Sequence, residues 1–182
     1  MLNAQGQLDG LTDQIEAGIK RARLRAETVT DPVSIDVVVQ VWPKRVIEER
    51  GHVGHTPTAT MMYLTFDPEK PNLARNLGEP LERMVAHELH HVLRNAGPGY
   101  GTSLGEALVS EGLTGQFVQQ LFQSGPEPWE RAITREELAP HLERVERDWD
   151  RQNYGHDDWF FGAGEQPFWF GYTLGYRLVE AY

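Results

Sequence analysis

The sequence predicts an α+β fold in which a small sheet near the N-terminus precedes a set of helices. Three observations carry this. Val33, Ile35, Val37, Val39 and Val41 alternate along "VSIDVVVQVW", the period-two signature of a strand. Elsewhere apolar residues recur at helical spacing, and Ser or Thr capping signals open two of those runs. Strands and helices do not alternate, so a parallel sheet built from βαβ units is not expected.

Leu8, Leu11, Ile15, Ile19 and Ala22 predict a first helix over about 6–27, ended by Asp31–Pro32. The valine-rich strand follows. "TATMMYLTF" (58–66) reads as a second strand, closed by Asp67–Pro68, and "GHVGHTP" between the two reads as a glycine-containing turn or loop. Pro80 suits the first turn of a helix running through "LERMVAHELHHVLRNA", with Gly97–Pro98 at its exit. Ser103 and Glu106 form an S-x-x-E capping box that opens "LGEALVSEGLTGQFVQQLF", which stops before Gly125–Pro126. Thr134 and Glu137 form another, ahead of a helix expected to reach Trp149. After a loop rich in glycine and aromatics, Pro167 opens a last helix, "FWFGYTLGYRLVEAY". The expected organisation is a single domain over 1–182. It comprises an N-terminal helix and sheet (about 1–70), two helices (about 79–124) and a C-terminal helical part (about 128–182).

Composition narrows the function. With 182 residues, 40% of them apolar, the chain can bury a real core. The formal net charge of −10 leaves no basic stripe for phosphates, so no nucleic-acid partner is expected; Lys20, Arg21, Arg23 and Arg25 read as the solvated end of a helix. The absence of cysteine excludes disulfides, thiolate ligands and redox motifs. "MLNAQGQLDG" lacks the regions of a signal peptide, and no apolar run approaches a membrane span. A cytoplasmic location and no membrane partner are the expectation.

Three of the 7 histidines fall in "HELHH", residues 87–91. His87, Glu88 and His91 fit H-E-x-x-H. Residues four apart on a helix lie about 40° apart and roughly 6 Å along the axis, so two imidazoles can close on one metal. Glu88 then projects beside them, where it can take a proton from water. His87 and His90 form a second pair on neighbouring turns. The first pair is favoured because it puts Glu88 in the expected place, and His90 is read as a packed or supporting histidine. The pentad lies among Leu81, Met84, Val85, Leu89 and Val92, so much of this helix is expected to be buried.

The following helix offers a third ligand. Leu104, Leu108, Glu111, Gly115, Val118 and Phe122 share one face, and Glu111 is the acid in that apolar stripe. A buried carboxylate needs a partner or protonates, and a divalent ion is such a partner. Two histidines and a glutamate leave the fourth zinc position for water, the catalytic rather than the closed structural arrangement. Glu106 is accounted for by its capping box.

His87-Glu88-x-x-His91, followed after 19 intervening residues by Glu111 in "SEGLT", resembles the gluzincin metallopeptidases. Within them the chain is similar to a bacterial family of predicted zinc-dependent proteases, long classed as a domain of unknown function. "HELHHVLR", "LGEALVSEGLTGQF", "PEPW" and "FWFGYTLGYRLV" carry the likeness, over roughly residues 50–182. The resemblance implies a zincin-like fold with a small mixed sheet, an active-site helix and a glutamate helix. It implies one zinc ion per chain and peptide-bond hydrolysis. It also implies that "TATMMYLTFD" is an edge strand whose residues 58–66 pair with a peptide or protein substrate. Gluzincins often carry an Asp four residues beyond the glutamate ligand to orient a histidine; here that position is Gly115, and Asp157, Asp158 and His156 are the substitutes considered.

For the reaction, Glu88 is expected to act as base and then as acid. Tyr172 and Tyr176, four apart in "GYTLGY", are the candidate hydrogen-bond donors to the oxyanion, Tyr172 first; the bland alternative for both is a core aromatic with its hydroxyl satisfied locally. His52 and His55 read as exposed loop histidines. Trp129, Trp149, Trp159 and Trp169 are expected to pack the helical part or to line a groove. The rival functions are a non-catalytic binding module stabilised by metal, and a metallohydrolase of a non-peptide amide.

Overall fold

The computed structural model describes residues 6–182. They fall into two compact units that divide between Gly97 and Pro98. The boundary lies at the Gly97–Pro98 exit, inside the stretch 79–124 that the sequence groups together.

In the first unit, α1 (Thr12–Ala26) buries Ile15, Gly18, Ala22 and Ala26. It starts later than its periodicity suggests, because Gly6 and Gly10 both have positive φ (82° and 80°), which no right-handed helix accommodates. Small residues let it lie close to α2 (Glu79–Ala96): a Cβ added at Gly18 would come 3.0 Å from Leu81 Cδ2. Arg21 adds an ion pair to Glu82 at 2.7 Å. Pro80 sits in the first turn of α2. Residues 81–89 are all buried, so α2 runs through the middle of its unit, with α1 against it and the sheet packed on it.

The sheet is mixed, as expected, with β1 (Asp36–Val41), β2 (His52–Thr58) and β3 (Met61–Phe66) in the order β1-β3-β2. β1 runs parallel to β3, and β2 antiparallel to it. Two expectations are corrected here. The 58–66 stretch is not an edge: its strand, β3, is paired on both sides and buries Met62, Leu64 and Phe66 to 1% exposure or less. The edge strand on which α2 packs is instead "HVGHTPT", which reads as loop because it contains Gly54 and Pro57. Pro57 falls in the register irregularity between His55 and Thr58, where a missing N–H costs the ladder nothing. Gly54 is needed for a close approach described below. β1 begins at Asp36 rather than Val33, matching the length of its partner β3.

In the second unit, α3 (Leu104–Phe122) opens on the expected capping box, with both hydrogen bonds of the Ser103–Glu106 pair formed. α7 (Phe170–Glu180) lies against it at van der Waals contact of the main chains. A Cβ at Gly112 would run into the carbonyl of Gly175, and one at Gly175 into the carbonyl of Leu108. The core between and beside them holds Leu104, Leu108, Trp159, Phe160, Phe170 and Leu174.

The Thr134–Glu137 capping box is also present, but the helix expected to reach Trp149 is divided into α4 (Arg135–Leu138), a 3-10 turn (Ala139–His141) and α5 (Leu142–Asp148). Pro140 lacks the N–H that would continue it. The loop expected before the last helix contains a short helix, α6 (His156–Phe161). α7 starts three residues beyond Pro167, because Trp169 has a left-handed φ of 66°. Arg144 ties α5 to the following segment, meeting Asp158 at 2.8 Å and Glu165 at 2.9 Å, with its guanidinium over Trp159. Among the described residues no helix is long and apolar enough to cross a membrane.

Candidate functional site

Two of the proposed ligands come from one turn of α2. His87 and His91 turn their Nε2 atoms toward each other at 3.1 Å, with the rings at 75° and both side chains buried. Zinc bound tetrahedrally at about 2.0–2.1 Å to each of two nitrogens holds them roughly 3.3–3.4 Å apart. The separation seen is within a few tenths of an ångström of that span. His90 is half-buried on the flank of the helix.

Glu88, between them in sequence, is only 4% exposed. Its carboxylate rests on β2. Thr56 Oγ1 donates to Oε2 at 2.7 Å and lies 3.2 Å from the Glu88 main-chain oxygen. A Cβ at Gly54 would fall 2.6 Å from Glu88 Cδ, inside contact distance, so glycine alone gives the carboxylate room. His52, expected in an exposed loop, opens β2 and is 1% exposed, with Nε2 3.3 Å from the Asn76 carbonyl. Burial lowers its pKa to about 4. His55 is exposed on the same strand, as expected for it.

In the second unit, Glu111 stands in the buried stripe of α3 at 6% exposure. Its Oε1 accepts a 2.8 Å hydrogen bond from the Tyr100 hydroxyl. Tyr100 sits between Gly99 and Gly101, which have φ of 88° and 101°, a loop bent to turn one aromatic side chain inward. Burial, and then the negative charge of Glu111, hold its phenol well above the ordinary tyrosine range, so it stays protonated and remains a donor. Tyr154 is shifted upward by the same two causes, and its hydroxyl pairs with His156 Nδ1 at 3.1 Å.

Tyr172 packs edge-on against Phe160 and Phe161, close enough to Tyr100 to raise its pKa further. The Tyr176 hydroxyl donates to Gln119, one turn beyond Gly115. Of the substitutes considered for an orienting acid, Asp158 is engaged with Arg144, Asp157 is exposed, and His156 is stacked on Phe160 with centroids 4.3 Å apart. The space where residue 115 would carry a side chain is filled by Glu130, whose Cδ lies 2.9 Å from where a Cβ would sit. Glu130 is 4% exposed, and its Oε2 accepts from the Glu127 N–H at 2.7 Å. Trp129 and Trp159 are buried, Trp169 packs on Trp129, and Trp149 covers Gly105.

Sequence reasoning missed Tyr100 and Glu130. The signals were present: a tyrosine bracketed by glycines, and an E-P-x-E pattern in which Glu130 reaches back to cap its own turn.

Residues 13–182 match the model of a family described as "Predicted Zn-dependent protease (DUF2268)". The chain belongs to that family. Two curated relatives come from Bacillus subtilis (strain 168), and both are uncharacterized proteins. YjfC is 26% identical over 158 residues, which are 77% of this chain and 50% of that protein. YjaZ is 31% identical over 109 residues, 54% of this chain and 41% of that protein. The chain thus spans half or less of the length of the curated relatives it matches. No solved structure matches it.

Proposed function

We propose that the chain is a zinc-dependent peptidase of gluzincin type, in which His87, His91 and Glu111 hold one zinc ion and Glu88 is the general base. The observation that carries this reading is the facing pair of imidazoles on α2, with a buried carboxylate on the same turn. Two neutral imidazoles and a carboxylate suit zinc and leave one position open. Membership of a family described as predicted zinc-dependent proteases supports the choice of metal and of reaction class.

When bound, the ion supplies Lewis acidity, making water more acidic and polarising the scissile carbonyl. The remaining work falls to side chains. Glu88 takes a proton from the attacking water and passes it to the leaving amine. Tyr100 holds Oε1 of Glu111, which would leave Oε2 to the ion. Tyr172, in the aromatic cluster beside Tyr100, is the donor to the developing oxyanion. Tyr176 supports the helix contact, its hydroxyl directed to Gln119. Glu130 fills the space left by Gly115, on the face of α3 that carries Glu111. An extended peptide pairs with the outer edge of β2, because β3 has no open edge.

The test combines elemental analysis with cleavage of a mixed peptide library. Wild-type protein is expected to carry one zinc and to cut peptides. Glu88→Gln is expected to keep zinc and fold while losing hydrolysis, since an amide cannot act as a base. Zinc-loaded wild type that cuts no peptide, or a Glu88→Gln protein with undiminished turnover, overturns the reading.

A further inference from the structure

We infer that Thr56 is a positioning residue that sets the aim of Glu88, by holding Oε2 and leaving Oε1, seated over Gly54, as the oxygen that exchanges the proton. The inference rests on the zinc-peptidase reading for the role of Glu88; the contact itself does not depend on it.

A threonine hydroxyl has one proton to donate. Two acceptors compete for it: Glu88 Oε2 at 2.7 Å and the Glu88 main-chain oxygen at 3.2 Å. The carboxylate is nearer and charged, and hydrogen bonds to ionised acceptors are shorter and stronger, so the proton goes to Oε2. Gly54 and Thr56 are two apart in one strand and therefore share a face. That face meets both ends of one carboxylate. Thr56 grips Oε2, while a Cβ at 54 would lie 2.5 Å from Oε1. One position supplies a donor, and the other supplies the absence of a side chain.

The donor is itself held stiffly. Thr56 precedes Pro57, which confines its backbone to extended conformations. Its branched β-carbon restricts χ1. Asn95 Nδ2, from the last turn of α2, donates to the Thr56 carbonyl at 3.4 Å. Thr56 thus joins strand to helix at two points, its hydroxyl at Glu88 and its carbonyl at Asn95, and the glutamate side chain, flexible when alone, has one orientation fixed from outside its own helix.

The experiment compares wild type, Thr56→Val and Thr56→Ser by peptidase kinetics, zinc content and crystal structure. Valine keeps the shape and β-branching and removes only the donor, so the variant is expected to fold and to bind zinc as wild type does. Its kcat is expected to fall about 10-fold to 100-fold with KM little changed, the range seen when a supporting hydrogen bond is lost. In its crystal structure the Glu88 carboxylate is expected to rotate off its present position. Serine restores the hydroxyl and is expected to recover both the carboxylate position and most of kcat. If Glu88 keeps its position in Thr56→Val, or if Thr56→Ser behaves like Thr56→Val, the inference is overturned. If wild type cuts no peptide, the zinc-peptidase reading fails, and the crystal structures still decide whether Thr56 aims Glu88.

Discussion

His87 and His91 present their Nε2 atoms to one another across 3.1 Å on a buried face of α2. At that distance either one ring donates to the other or both lone pairs converge on a shared cation. The second arrangement uses both rings in their neutral form.

Zinc content separates these arrangements by residue. His91→Ala is expected to remove most of the metal found in wild type by elemental analysis, and His90→Ala to retain it. Full metal in His91→Ala with loss in His90→Ala would move the ligand pair to His87 and His90.

Glu111 gives a test that reads stability rather than turnover. Thermal melts of wild type and Glu111→Gln are recorded with and without chelator. If Glu111 is the third ligand, the chelator lowers the wild-type midpoint much more than the variant's, because the energetic loss appears only when metal is bound. An ordinary surface position would shift stability by less than about 0.5 kcal/mol and leave the chelator effect unchanged. Equal chelator effects in the two proteins refute the assignment.

His52 predicts a specific pH dependence. Its pKa is lowered to about 4 from an ordinary value of 6.5, so the folded state holds it neutral where the unfolded chain would already protonate it. Its contribution is complete above about pH 6.5 and is lost as pH falls toward 4, up to about 3 kcal/mol. His52→Gln keeps a donor for the Asn76 carbonyl. It is expected to flatten this part of the profile in urea titrations between pH 4 and 7. A variant whose stability falls as steeply as wild type's would show that other groups carry the acid sensitivity.

Arg144 is expected to matter more than a surface ion pair does. Its side chain is 22% exposed and serves Asp158, Glu165 and the nearly buried Asp148. Arg144→Met takes the ion pair from the half-buried Asp158 and leaves Asp148 to Arg147 and Arg151, and should cost about 1–3 kcal/mol in denaturant unfolding, below the range for a fully buried pair because of the remaining exposure and partners. Arg144→Lys should recover little, since one ammonium cannot replace the guanidinium fork. A loss under about 0.5 kcal/mol would reduce the cluster to a surface feature.

Helices were legible where local chemistry decides them. Pro80, the Ser103–Glu106 box and the Thr134–Glu137 box each mark a true helix start. The sheet was less so. β2 contains Gly54 and Pro57, which signal a loop when only neighbours in sequence are considered. In the fold the glycine admits the Glu88 carboxylate, and the proline occupies a break in register. The central place of β3 depends on β1 pairing with it in parallel, a long-range choice that alternation within either strand does not encode. At the candidate site, the H-E-x-x-H turn and the acid in an apolar stripe follow from helical periodicity. Tyr100 and Glu130 reach their positions through loop geometry and a short turn, and periodicity has nothing to say about either.

The contact between Gly112 and Gly175 has one more effect. Where helices meet through side chains, a change on one can be matched by a change on the other, and evolution or design can repack the seam. Here the seam is peptide against peptide, and no compensating partner exists for a methyl group on either side. Glu111 is the residue next to Gly112 on the same turn of α3. The rotation of that turn, and with it the direction in which its carboxylate leaves the helix, is therefore registered by two residues with no side chains. Substitutions that would redirect the acid are blocked behind it, at positions 112 and 175.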